Sequence, residues 1–573
     1  MDTENKEWQQ ALQVIQYTRR SLFLTGKAGT GKSTFLRYVA QHTKKKCVIL
    51  APTGIAAINA AGQTLHSFFK LPFHPLLPND SRYNIRNIRK TLKYNGVTIK
   101  LLRETELIII DEISMVRADI IDFIDKVLRI YCRNMREPFG GKQLLLVGDI
   151  FQLEPVIKED EWRLMQPFYA SAYFFAAKVW QEMELVSIEL KKVYRQSDAR
   201  FIGILDRIRD NTVTVKDLQD INRRVGADLH LHDNNLAITL ATRRDTVDYI
   251  NEQNLMELDG DPSVFQGVIT GEFPETSLPA PMELEVKPGA QVIFIKNDKE
   301  KRWVNGTLGV VIYVDEEDGI ITVVDEDGHE YDVEREIWEN MRYTFNEKEQ
   351  KIEEEQLGTF IQFPLRLAWA ITIHKSQGLT FRQVKIDFSG GGAFAGGQTY
   401  VALSRCTSLE GICLTEPIRQ SDIFVRAEVI SFAHRYNNGQ LIRQAMNESK
   451  ADKEYHDAME AFDRQDFDAF LQHFFLAIHS RYDIEKPAAK RLIRRKLGVI
   501  TQLQEEKNEL CEEMKRKEEL LKRLAVEYVL MGKECEKEHM NEAAIRNYEK
   551  ALELYPDAIE AQRRIKKLKR NKL

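Results

Sequence analysis

The stretch Gly26-Lys27-Ala28-Gly29-Thr30-Gly31-Lys32-Ser33 constrains this chain more than any other. It spells G-x-x-x-x-G-K-[ST] between an apolar run, Leu22-Phe23-Leu24, and a helix-forming run, Thr34 to Ala40. A strand, a glycine-rich turn and a helix in that order aim backbone N–H groups at a helix N-terminus, where phosphate oxygens are stabilised. Gly26, Gly29 and Gly31 admit close backbone approach. Lys32 is placed to reach β- and γ-phosphates, and the Ser33 hydroxyl to ligate Mg²⁺. Ala28, Thr30 and Thr34 complete the set expected to line a nucleotide. The fold class that houses such a loop is α/β.

Other apolar runs fit the same sheet. Cys47-Val48-Ile49-Leu50 leads into a loop of small residues and hydroxyls. There Thr53, His66 and Ser67 are candidate donors to nucleic-acid phosphates, with Gly54 and Phe68 beside them. Leu107-Ile108-Ile109-Ile110 ends in Asp111-Glu112. Downstream of a phosphate loop, Asp111 is expected to share the Mg²⁺ with Ser33, and Glu112 to polarise the attacking water. Gln143 to Val147 ends in Gly148-Asp149-Ile150-Phe151-Gln152, making Gln152 a candidate γ-phosphate sensor. An amphipathic helix over Glu7 to Ile15 carries Gln9 and Gln10, either of which could read adenine.

The chain has 573 residues, enough for several domains, and a net charge of −5. Any nucleic-acid contact must therefore use a local basic groove. Lys70 to Arg103 is such a region, with eight basic residues against Asp80 and with Phe68, Phe69, Phe73, Tyr83 and Tyr94 interleaved. It reads as a basic insertion that touches a strand. No apolar run is long enough to span a bilayer, and the polar N-terminus lacks a signal-peptide core, so a cytoplasmic, nucleoid-associated protein with no membrane partner is expected. The six cysteines form no C-x-x-C pair.

The blocks GKAGTGKST, APTGIAAINAAGQTLHSFF, IIIDEISMV, LLVGDIFQLEPV, VYRQ, AITIHKSQGLTF and TYVALSRC, in this order, resemble the superfamily-one helicases. The match is nearest the petite-integration-frequency family of the 5′-to-3′ group that includes RecD-like enzymes, over roughly residues 5 to 430. The resemblance implies two RecA-like motor domains with ATP between them and single-stranded DNA across their top. It implies an ATP-dependent DNA helicase acting in repair, recombination or replication on single-stranded, forked or tailed duplex DNA. It assigns adenine reading to Gln9, base packing to Tyr194, a nucleotide contact to Gly378, DNA contacts to His374 and Ser376, and arginine fingers to Arg195 and Arg405. One departure stands out, since the family usually has proline where this chain has Glu154.

Between Leu284 and Phe363 short strands punctuated by Gly306, Gly319 and Gly328 read as a small β-barrel inserted in the second motor domain. The family carries a Src-homology-three-like barrel there. From about Ser431 the chain turns helical. Tyr528, Gly532, Ala544, Tyr548, Ala551 and Pro556 match one tetratricopeptide repeat, a candidate protein-binding surface, and Ile500, Leu503, Leu510, Met514, Leu521 and Leu524 follow heptad-like spacing. The expected layout is a first motor domain over 1–190 with its insertion at about 68–103, a second over 191–430 with the barrel at about 305–362, and a helical region over 431–573. Two alternatives stay open: a nucleotide-gated scaffold using the helical tail, and an RNA helicase, since no residue here selects a 2′-hydroxyl.

Overall fold

The computed structural model describes residues 5–72, 74–194, 198–229, 236–275, 278–349, 351–389, 392–481 and 487–570. Arg195 and Phe73 lie outside these. The chain divides into two compact units, Met1–Asp452 and Lys453–Leu573.

The first unit opens with helix α1 (Lys6–Tyr17) and a sheet of six strands: β1 (Leu22–Gly26), β2 (Cys47–Ala51), β3 (Gln63–Thr64), β4 (Leu107–Ile110), β5 (Gln143–Val147) and β6 (Val186–Leu190). Their order is β3-β2-β4-β5-β1-β6, with every pairing parallel. Period-two alternation splits these strands between two cores. Phe23, Val48, Ile108, Ile110, Leu144 and Leu146 enter one cluster. Leu22, Leu24, Ile49, Leu107, Ile109, Leu145 and Val147 enter the cluster on the other face, with Trp8 and Ala11 of α1 and Phe35 of α2 (Lys32–His42). Helices on both faces leave only the carboxyl ends of the strands free for chemistry. The phosphate loop follows β1, Thr53 and α3 (Gly54–Asn59) follow β2, Asp111 follows β4, and Asp149 follows β5.

A second parallel sheet is built from β7 (Ala237–Ala241), β10 (Ala370–Thr372), β11 (Gln383–Asp387) and β12 (Ile412–Leu414), in the order β10-β7-β11-β12. It is flanked by α4 (Ala199–Arg209) and α5 (Gln398–Leu403). The two-sheet α/β architecture that the resemblance implies is present. Between β7 and β10 lie three antiparallel sheets that begin at Ser263, well before the 305–362 expected for the insertion. Two of their strands, β8 (Glu336–Asn346) and β9 (Lys351–Gln362), form a long hairpin that returns to the first sheet. Tyr343 is buried in the first core, and its hydroxyl accepts the Ile49 N–H at 3.2 Å.

The basic insertion differs from expectation in one respect. Phe68, Phe69, Tyr83 and Tyr94 are all buried in the first core, so their rings pack the protein and offer no stacking face to a strand. Several of the cations also have local partners. Arg82 pairs with Asp80, Lys100 with Glu347, and Arg103 donates to the Tyr131 carbonyl at 2.8 Å.

The first unit continues past residue 430 because the following segment covers its edge. In α6 (Ala427–Ala433), Val429 and Phe432 join the first core, with Phe432 stacked on Phe175 at 4.4 Å. Asn437 donates its N–H to the Ser187 carbonyl and accepts the Glu189 N–H, each at 3.0 Å, satisfying the outer edge of β6. Arg20 grips Glu448 through two bonds of 2.5 and 2.8 Å.

In the second unit, Ala525, Val529, Ala544, Tyr548, Ala551 and Ala561 form a small core. A Cβ on Gly532 would lie 2.5 Å from the Tyr548 ring, so glycine there lets two helices approach. Ile500 is buried against Phe470, whereas Leu503, Leu510, Met514 and Leu521 of the heptad-like run are exposed. No helix among the described residues is long and apolar enough to cross a membrane.

Candidate active site

The phosphate loop is built as its glycines require. Gly26 has no room for a side chain, since a Cβ there would sit 2.7 Å from the Leu190 carbonyl oxygen and from Thr30 Oγ1. Gly31, at φ 85°, is the N-cap of α2. The Lys32 ammonium donates to the Gly26 and Lys27 carbonyls at 2.7 and 3.0 Å, which holds it at the rim of the loop.

The loop faces a cleft of about 690 Å³ lined by both motor domains. From the first domain come Ala28 to Thr34, Glu112 and Gln152. From the second come Gly378, Thr380 and Arg405, with Tyr194 at the boundary. Tyr194 donates its N–H to the Gly29 carbonyl at 2.9 Å. Trp8 and Asn5 line this cleft, and Gln9 stands on the exposed side of α1. One residue of helical phase, 100°, separates the two outcomes.

Glu112 adopts a left-handed backbone, φ 48°, two residues after the end of β4. Burial, and then the neighbouring charge of Asp111, push its carboxyl up to about 7. Burial likewise raises Asp111, whose carboxylate accepts the Glu112 N–H at 2.9 Å. Gln377, which lies in the block AITIHKSQGLTF but has no role legible from its pattern, completes this arrangement. The Gln377 amide of the second domain donates to Glu112 Oε2 at 2.8 Å and to Gln152 Oε1 at 3.2 Å. Gln152 in turn donates to Asp149 at 3.3 Å.

Other cross-domain partners were also invisible in the pattern. Lys27 pairs with Asp206 of α4 at 2.6 Å, and Ala28 donates its N–H to the Tyr400 hydroxyl at 3.1 Å. Arg209, at the end of α4, is buried between Asp149 and Glu189, 3.2 Å from each, with the Phe151 ring 4.3 Å from its guanidinium. Arg405 is 1 % exposed. Its guanidinium donates to the carbonyls of Val401, Ser376 and Leu379 and to Ser404 Oγ, at 2.9 to 3.2 Å.

The residues read as nucleic-acid contacts divide. Thr53 is exposed and caps α3 by accepting the Ala56 N–H at 3.2 Å, Gly54 is half-buried at the start of that helix, and Ser67 is exposed with its hydroxyl accepting from Gln63 at 3.2 Å. His66 and His374 are half-buried, and burial lowers both imidazoles. Phe68 and Ser376 are buried, the latter donating to the Ile373 carbonyl at 2.7 Å, so neither side chain reaches a groove. A second cleft joins Ile55, Ile58 and Asn59 of the first domain to Arg366, Lys375 and Gln377 of the second. Arg366 donates to the Pro279 carbonyl at 3.0 Å, while its buried Nε has no hydrogen-bond partner. Desolvation, reinforced by Arg366 and Arg244, holds the Lys375 ammonium down at about 8.

The family model described as PIF1-like helicase matches residues 2–218. An ATP-dependent DNA helicase PIF1 from Candida albicans is 31 % identical over 72 % of this chain and 54 % of its own length. The chain therefore spans about half of that relative. The Pif1 of Bdellovibrio bacteriovorus is 33 % identical over 69 % of this chain and 84 % of its own length. Pif1 from Bacteroides sp. in complex with ADP-AlF4 is 40 % identical and superposes with a TM-score of 0.70, covering 77 % of this chain and 98 % of that one. A Bacteroides Pif1 bound to ssDNA gives 0.55, over 76 % of this chain and 97 % of that one, at 40 % identity.

Proposed function

This chain belongs to the PIF1-like helicase family, and from that premise we propose that it is an ATP-dependent DNA helicase that moves 5′ to 3′ on single-stranded DNA. The observation that carries the reading is the cleft itself, where Lys32, Glu112 and Gln152 of one domain meet Gly378 and Arg405 of the other. Hydrolysis in such a cleft requires closure, so turnover and domain movement become one event.

In this reading the loop N–H groups and Lys32 hold the ATP phosphates. Glu112, its proton affinity raised by burial and by Asp111, accepts the proton of the attacking water, and the Gln377 amide orients it. Arg405, fixed by its own domain's carbonyls, offers positive charge at the γ-phosphate, a role the family resemblance also gives to Arg195. Ser33 lines the cleft and Asp111 ends β4, two hard oxygen donors that fit a magnesium ion. Bound there, the ion would neutralise charge on the phosphates. The second cleft is the seat proposed for the strand, because Arg366 and Lys375 line it, Arg244 adds its charge to theirs, and a phosphate would relieve their mutual repulsion.

The test is ATP hydrolysis with and without single-stranded DNA, alongside unwinding of duplexes carrying a 5′ or a 3′ tail. Stimulation by DNA and unwinding from the 5′ tail are expected. Equal rates with and without DNA would refute the motor, and stimulation by RNA alone would redirect it.

A further inference from the structure

Glu154, where the family usually has proline, joins three separate parts of the first unit. Its carboxylate accepts the Tyr173 hydroxyl at 3.1 Å and the Gly396 N–H at 3.2 Å. It also takes Arg426 in a two-point pair, Nε to Oε2 at 2.7 Å and Nη2 to Oε1 at 3.1 Å. Tyr173 belongs to the first domain, Gly396 opens onto α5, and Arg426 caps α6. The glutamate side chain is 14 % exposed and the arginine 52 %, so the pair is shielded on one side only.

The surrounding backbone is equally tight. A Cβ on Gly397 would lie 2.3 Å from the Gln152 carbonyl oxygen and 2.4 Å from that of Phe151. Phe394 and Ala395 donate their N–H groups to Gln398 Oε1 at 3.0 and 3.3 Å, which orders the turn before α5. Helix α5 then delivers Tyr400 to the phosphate loop, and Arg405 follows two residues after its end.

We propose that Glu154 is a positioning residue, a clasp that ties the Gln152 loop to the start of α5 when the cleft is closed, so that the γ-phosphate sensor and Arg405 are held in register. A proline has no side-chain group to accept from Gly396 or Arg426, so a chain with proline there must hold this junction otherwise. The inference rests on the ATP-hydrolysing motor proposed above. Arg426 is half-exposed, so a coupling of about tenfold, near the low end of linked sites, is expected.

The experiment is a double-mutant cycle in the full chain with Glu154→Gln, Arg426→Gln and the double variant. Maximal DNA-stimulated ATP hydrolysis, KM for ATP, affinity for a fluorescent ADP analogue and melting temperature are read for each. Glu154→Gln keeps the shape of the side chain, which guards the fold. Each single substitution is expected to lower kcat about tenfold, and the double substitution to be no worse, with nucleotide affinity within twofold of wild type. Unchanged kcat, additive losses, or a fall in nucleotide affinity and melting temperature in step with kcat would each overturn the clasp. A wild-type chain that fails to hydrolyse ATP would instead overturn the motor reading on which the clasp depends.

Discussion

Replacing Gln377 by alanine tests the coupling between the two motor domains at its shortest link. The substitution removes an N–H donor 2.8 Å from Glu112 Oε2 and a second contact at 3.2 Å to Gln152. A hydrogen bond to an ionised group contributes about 1.5–3 kcal/mol, or a factor of roughly 10–150 in an equilibrium or rate. Water entering the space left by the side chain recovers part of this, so a fall in kcat of about 10- to 50-fold is expected. The phosphate loop keeps all its own bonds, and nucleotide affinity should stay within about twofold. Gln377→Glu should be worse, because it sets a third carboxylate beside Glu112 and Asp111 and raises the base further. The assay is DNA-stimulated hydrolysis at saturating ATP, paired with a fluorescent-nucleotide titration on the same preparations. If Gln377→Ala turns over within twofold of wild type, Glu112 does not depend on the second domain for its orientation.

Lys32→Ala should reduce hydrolysis to near background, since the clamp on the β- and γ-phosphates is lost, and wild-type turnover in it would remove the ATPase assignment. Arg209→Met leaves the carboxylates of Asp149 and Glu189 without their shared cation, and breaking a buried pair from one side costs about 3–5 kcal/mol. Denaturant unfolding should show that loss, and an unchanged midpoint would refute it. Lys375 is charged below about pH 8 and loses its proton above it, so affinity for single-stranded DNA should weaken as pH rises through 8. Binding titrations from pH 7 to 9.5 check this, and Lys375→Arg, which stays charged, should flatten the profile. A chain ending at Asp452 should keep DNA-stimulated hydrolysis, whereas one ending at Ser431 should lose its fold along with Phe432, Asn437 and Glu448. Equal melting temperatures for the two truncations would contradict the edge-covering role of that segment.

What the sequence determined by itself is local. Strand alternation at Leu22-Phe23-Leu24 and Leu107 to Ile110 is a property of neighbouring residues, and so is the glycine spacing that shapes a phosphate loop. The carboxyl ends of those strands therefore carried Lys32, Glu112 and Gln152 legibly, and the order of the blocks carried Arg405. The tertiary structure decided everything that depends on which distant groups meet. Gln377 lies 265 residues from Glu112, Arg426 lies 272 from Glu154, and Tyr400 lies 372 from Ala28. No period or turn residue marks such pairs, because their partners exist only once two sheets face each other. The choice of Trp8 over Gln9 in the cleft turned on helix phase against a core that the helix alone does not specify. The rings of Phe68, Tyr83 and Tyr94 looked like a strand-stacking face because composition records which side chains are present. Their burial in the first core was decided by the free energy gained on removing large apolar area from water, which depends on the surface they find to pack against.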